Sequence, residues 1–193
     1  MTETTTLAIP ELKIRQGLVT FRLGKSSDIE GMSDEWFTSD IPSNEDEALT
    51  TEIVEASRRY WQSLLEKGEF LIVAELENKL VGRVFVNITA RQKTRSPIKV
   101  DHPTGIIERL KVSIEHQGIG RALIENAEEF IVASGLSAAE IGVHETNTRA
   151  LTIYEDLGYI SLVTGHEERS PSFEGFITFR YQKPTCVMFK YLL

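Results

Sequence analysis

The stretch Arg109-Leu-Lys-Val-Ser-Ile-Glu-His-Gln-Gly-Ile-Gly-Arg-Ala-Leu123 brings two glycines, Gly118 and Gly120, to the point where an alternating apolar run gives way to a helical pattern. Glycines let the main chain approach a ligand closely, and the first turn of a helix offers unpaired N–H groups at the positive end of its dipole. That combination binds anions, phosphate and pyrophosphate above all. Arg121, in the first turn, adds a cation. The spacing is not the Gly-x-x-x-x-Gly-Lys-Ser/Thr of a P-loop. A dinucleotide fingerprint would need Gly or Ala where Leu123 stands. Taken alone, the loop also fits a tight strand-to-helix turn without a ligand.

Other chemistry-bearing residues narrow the choice. His102, His116, His144 and His166 show no ligand spacing, and the single cysteine, Cys186, excludes a cysteine-rich metal site, so no metal is expected. Cys186 falls in a terminal apolar stretch and reads as a packed residue. His144 follows a short strand and is a candidate for carrying a proton.

The elements that position these residues follow from periodicity. Val19, Phe21 and Leu23 alternate with polar neighbours as in a half-buried strand. Ser27 with Glu30, and Ser43 with Asp46, have capping-box spacing. They open one helix carrying Ile29, Met32 and Trp36 and a second carrying Leu49, Ile53, Ala56, Tyr60 and Leu64. Strands are expected at residues 70–75, 80–89, 105–112 and 140–144, and strand-like runs at 159–163, 176–181 and 185–192. Helices start after the glycine loop and at Thr148. The aromatics Trp36, Phe37, Tyr60 and Trp61 read as core, with a ligand-lining role as the alternative. This order predicts an α/β chain with a central mixed, mostly antiparallel twisted sheet of about seven strands flanked by about four helices. Residues 1–16 are expected to be a flexible tail, and 17–193 one domain.

Charge and composition exclude further classes. Lys plus Arg total 21 against 29 Asp plus Glu, a net charge of −8 that repels nucleic-acid backbones. The longest apolar run, residues 70–74, is too short to span a bilayer, and the first residues carry no basic, apolar leader. No nucleic acid, no membrane and a cytoplasmic location are therefore expected. A basic island (Arg91, Lys93, Arg95, Lys99) and an acidic stretch (Glu45 to Glu55) are each read first as solvated faces.

Downstream of the loop come Ala127-Glu-Glu-Phe, Gly135 and Val143-His-Glu-Thr-Asn147-x-x-Ala150-x-x-x-Tyr154-Glu-x-x-Gly158-Tyr159. Together with Gly118-Ile-Gly-Arg-Ala-Leu, this resembles the core of the GNAT superfamily of acyl-CoA-dependent N-acetyltransferases. The match is close over residues 105–161 and looser over 19–37 and 185–192. Glu115 stands where the superfamily's loop pattern has Arg or Gln, or Gln117 if the loop is read two residues later.

The resemblance implies a single GNAT-like domain that uses acetyl-CoA as co-substrate and a small-molecule or peptide amine as acceptor, with room for a homodimer. It implies that the pantetheine arm lies along Leu110, Lys111 and Val112, and that the pyrophosphate sits on the main chain of Gln117, Gly118, Ile119, Gly120, Arg121 and Ala122. The amine attacks the thioester directly in a ternary complex. Tyr154 matches the tyrosine that donates to the departing sulfur; the alternative is a core residue in phase with Ala150 and Leu157. An ammonium must lose a proton before attack, and Glu108, in alternation with Ile106, Leu110 and Val112, is the candidate base. A simple ion pair with a neighbouring Arg or Lys is its alternative. Asn147 caps a helix, faces the cofactor, or both. A non-catalytic CoA-binding regulatory module with the same fold is the rival to an enzyme.

Overall fold

In a computed structural model the described residues are 9–38, 47–88, 103–169 and 182–192. The elements are β1 (Glu11–Ile14), β2 (Gly17–Leu23), α1 (Ser26–Gly31), α2 (Glu35–Thr38), α3 (Glu47–Glu66), β3 (Phe70–Leu76), β4 (Lys79–Asn87), β5 (Thr104–Val112), α4 (Ile119–Ala133), β6 (Ala138–His144), α5 (Thr148–Asp156), β7 (Ile160–Arg169) and β8 (Gln182–Tyr191). They build one sheet in the order β1-β2-β3-β4-β5-β6-β8-β7. Only β5 and β6 pair in parallel among the described strands. Glu77 and Asn78, with φ of 50° and 62°, make the tight turn between β3 and β4.

Each face of the sheet buries one apolar cluster. On one face, α4 lays Ile119, Leu123, Ala127 and Ile131 over Val84, Val86, Ile107 and Ile141. The helix comes in close because β5 carries a glycine there: a Cβ on Gly105 would lie 2.6 Å from Ile131 Cγ1. On the other face, Trp36, Phe37, Val54 and Trp61 pack with Leu71, Val73 and Phe85. All four helix aromatics therefore sit in or against this core, as the sequence reading favoured.

The described structure has eight strands and five helices where about seven and four are expected. The extra strand comes from the supposed tail, since Glu11–Ile14 pairs with β2. What holds it is side-chain chemistry on α4. The buried Asn126 amide accepts from Ile9 N–H at 2.7 Å and donates to the Ile9 carbonyl at 2.9 Å, as a neighbouring strand would. The extra helix comes from a break after Gly31, where Met32 is extended. Arg58 of α3 fills the break, donating to the carbonyls of Ile29 (2.9 Å), Glu30 (3.0 Å) and Met32 (2.6 Å). The Ser27–Glu30 capping box is not formed. The cap is Lys25, whose N–H donates to the Asp28 carboxylate at 2.8 Å. The Ser43–Asp46 box, the strand at 176–181 and the basic island lie outside the described residues.

Asp28 also anchors α1 to the sheet. The Arg22 guanidinium donates to both Asp28 oxygens (2.8 and 2.7 Å) and both Glu75 oxygens (3.0 and 2.7 Å). Burial alone would raise the Asp28 pKa, but hydrogen bonds from Arg22 and the Lys25 N–H outweigh it and hold the carboxyl below its usual range. A lowered folded-state pKa stabilises the fold above the unfolded value of about 3.9 and is lost as pH falls through the folded one. Asp28→Asn is accordingly expected to lower Tm at pH 7, with the gap to the unsubstituted protein narrowing below about pH 4. Thermal melts at pH 7 and pH 3 test this; an equal gap at both would remove Asp28 from the acid limb.

Candidate functional site

The parallel pairing of β5 with β6 joins only Thr104–Ile107 to residues 138–141. Past that point the two strands continue in ladders with their other neighbours, residues 108–112 with β4 and 142–144 with β8. The cause lies one residue further along β5. Arg83 pairs with Lys111 and Phe85 with Glu108, so Val84 faces both Arg109 and Leu110 in a bulge. Arg109 takes a left-handed φ of 54°. Bulges bend their strand, and here the bend carries β5 away from β6. The result is a stretch of β5, residues 108–112, that runs on past the end of its ladder with β6.

At the end of that stretch stands the start of α4. Its cap is Gly118, left-handed at φ 83° with no side chain to bond the first turn, so the donors of that turn stay open. A Cβ on Gly120 would sit 3.9 Å from Val112 Cγ1 and 4.0 Å from Leu110 Cδ2, which places the Gly120 face over the end of β5. Ile119 and Ala122 are buried in the core, so only their main chain can meet a ligand. The Gln117 side chain is turned to the N-terminal hairpin, accepting from Arg15 N–H at 3.3 Å.

α5 runs beside this loop. Arg149 in its first turn ion-pairs with Glu115, and Asp156 at its end lies 3.8 Å from Arg121. Two guanidiniums thus flank the open helix start, each about half exposed. Arg149 is a site residue the sequence reading passed over; its place two residues after the cap Asn147 was the available signal. Asn147 does cap α5, accepting from Ala150 N–H at 3.1 Å. Tyr154 lies between the two ties, 5% exposed, with its ring 6.1 Å from that of Tyr159. Burial pushes its pKa up to about 12.

Glu108 departs from expectation. The bulge reverses the alternation, so Leu110 and Val112 pack with Ile107 on the α4 face while Glu108 lies opposite Phe85 on the face of α1–α3. Its Oε2 is 2.5 Å from Arg109 Nη1, the ion pair that the sequence left open as its alternative role. Arg109 Nη2 in turn donates to the Tyr60 hydroxyl at 3.2 Å. His144, at the β6 side of the gap, has its Nδ1 2.7 Å from Thr146 Oγ1 and 3.2 Å from the Thr146 N. Cys186 is buried and donates to Ser161 Oγ at 3.3 Å, a packing role. Among the described residues no cluster of His, Cys, Asp and Glu has the arrangement of a metal site, and no helix is long and apolar enough to cross a membrane.

A profile described as acetyltransferase (GNAT) family matches residues 32–159. No curated protein matches by sequence search. Among solved structures, YncA of Salmonella typhimurium with its cofactor acetyl-CoA superposes with a TM-score of 0.60 at 13% identity, over 91% of this chain and 94% of that one. The ribosomal-protein-S18-alanine N-acetyltransferase of Escherichia coli gives 0.61 at 15%, over 90% and 94%. A variant of the spermidine N-acetyltransferase SpeG of Vibrio cholerae gives 0.61 at 16%, also over 90% and 94%. At such identities the likeness is one of fold.

Proposed function

The chain belongs to the GNAT acetyltransferase family, and from that premise we propose that it transfers an acetyl group from acetyl-CoA to a primary amine by direct attack in a ternary complex. The observation that carries the reading is the stretch of β5 past the end of its ladder with β6, residues 108–112, which leads to the first turn of α4. An extended pantetheine chain, itself an amide ladder, can bond Leu110, Lys111 and Val112 as an added strand would. The diphosphate then falls on the main chain of residues 117–122, with Arg121 and Arg149 at its sides. Acetyl-CoA is a co-substrate here and no metal is required.

Attack forms the C–N bond, the thioester C–S bond breaks, the amine gives up a proton and the sulfur leaves as thiolate or thiol. Tyr154 serves the sulfur. Glu108 takes the amine proton, directly or through a water, with Oε2 engaged by Arg109. Glu108→Gln keeps size and hydrogen bonding but cannot accept a proton, so turnover is expected to fall and its dependence on alkaline pH to steepen. A pH–rate profile indistinguishable from the unsubstituted protein would pass the role to His144 or to bulk water.

The acceptor is proposed to be cationic. A net charge of −8 and exposed Glu52 and Glu55 on α3 raise the local concentration of cations. Two of the similar folds bear names that mention acceptors of different size, spermidine and an alanine of a ribosomal protein. The test is thiol release from acetyl-CoA across polyamines, aminoglycoside-like cations, peptide N-termini and anionic amines. Cations should be preferred, with apparent KM rising with salt as screening sets in. A preference for anionic amines would overturn the charge assignment. Acetyl-CoA binding with no thiol release for any amine would favour the regulatory module.

A further inference from the structure

We propose that Arg83 is a positioning residue for acyl transfer. It holds the carbonyl of Arg109 from the neighbouring strand, and so keeps the β5 bulge in the left-handed turn at which the ladder of β5 with β6 has ended. The inference rests on reading the stretch of β5 past that ladder as the acyl-CoA site.

Arg83 sits on β4 with 4% of its surface exposed, an unusual place for a charge. Its Nη1 donates to the Arg109 carbonyl and its Nη2 to the Trp36 carbonyl at 3.1 Å. The guanidinium lies 4.1 Å from the centroid of Trp61 and 5.9 Å from that of Trp36, a planar cation between two π-faces. Arg109, the residue it grips, has the φ of 54° that glycine normally supplies in such a bulge. An L-residue does not hold that conformation without support. The support is two-sided: the main-chain carbonyl bonds Arg83, while the side chain bonds Glu108 and Tyr60. Beside it, Lys111 Nζ donates to the Glu35 carbonyl, so both bonds from the sheet's cations reach α2. Arg83 thereby joins α2 to the peptide at the bulge of β5. It acts through the bulge and does not itself need to touch a substrate.

The distinguishing feature of this role is that glycine at 109 should make it dispensable, because glycine adopts the bulge conformation unaided. The experiment is a double-mutant cycle of Arg83→Met and Arg109→Gly, read in kcat, in affinity for CoA by calorimetry, and in Tm without ligand. Arg83→Met is expected to lower kcat about tenfold or more and to change CoA affinity by less than about threefold, since the diphosphate is held at α4. In the Arg109→Gly background the same change should cost less than about threefold in kcat, with a correspondingly smaller drop in Tm. Equal costs in both backgrounds would reduce Arg83 to general packing, and a wild-type kcat in Arg83→Met would overturn the proposal outright. If Arg83→Met does not fold, Arg83→Lys takes its place in the cycle, since a single ammonium cannot hold both carbonyls in the fork geometry. If the unsubstituted protein neither binds CoA nor releases thiol, the acetyl-transfer reading fails. The Tm cycle still decides the clamp.

Discussion

Gly120→Val is expected to weaken acetyl-CoA binding by about tenfold or more, at least about 1.4 kcal/mol, in a protein that still folds. The fold survives because a Cβ at this position meets Val112 and Leu110 only at 3.9 and 4.0 Å, ordinary contact distances. Gly120 lies inside α4, and valine is no worse a helix former than the glycine it replaces. Ligand binding suffers because the added methyls rise over the stretch of β5 past its ladder with β6, beside the N–H groups that should receive the diphosphate. Calorimetry with acetyl-CoA measures the effect, and an unshifted Tm shows that it is local. Unchanged affinity would put the diphosphate somewhere other than the start of α4.

Tyr154→Phe should lower turnover about ten- to a hundredfold while leaving acetyl-CoA affinity and folding nearly unchanged. The size follows from the kind of proton donor Tyr154 is. Burial pushes its pKa up to about 12, whereas a free thiol titrates near 8.5. Complete transfer of the phenol proton to the departing thiolate is therefore uphill. What Tyr154 can offer is a hydrogen bond to the developing negative sulfur, and bonds to charged groups are worth about 1.5–3 kcal/mol. Each 1.36 kcal/mol is a factor of ten in rate, which gives the stated range. The same pKa predicts no falling limb from Tyr154 in the pH–rate profile between about pH 7 and 10. Turnover equal to that of the unsubstituted protein would make Tyr154 a core tyrosine. A loss far beyond a hundredfold would mean that full proton transfer, and not hydrogen bonding, carries the step.

The strands and helices of the second half were readable because their signals are local. Gly118 opening α4, Asn147 capping α5 and the apolar stripe of Ile119, Leu123, Ala127 and Ile131 each need only their own neighbours in sequence. The first half was less legible for the opposite reason. The break after Gly31 is held by Arg58, which lies 24 to 29 residues away from the groups it bonds. The strand Glu11–Ile14 depends on Asn126, 117 residues away from Ile9. A polar segment with little periodicity carries no sign of such a partner.

At the site the division is the same. The amino-acid sequence by itself determined the glycine loop, the tyrosine on α5 and the family to which the chain belongs, because spacing along the chain sets turn and helix geometry directly. Only the tertiary structure decided how the strand before the loop is used. The alternation of Ile106, Glu108, Leu110 and Val112 reads as one face, yet the bulge at Arg109 inserts an extra residue and turns Glu108 away from Leu110 and Val112. A period of two has no memory of an insertion that the partner strand imposes. Arg83 is a basic residue inside the apolar run of β4, and nothing in its neighbours shows that its guanidinium reaches across to the carbonyl of Arg109, 26 residues further along the chain. The opening between β5 and β6, and with it the place for a ligand, exists only once those two strands and their bulge have been assembled side by side.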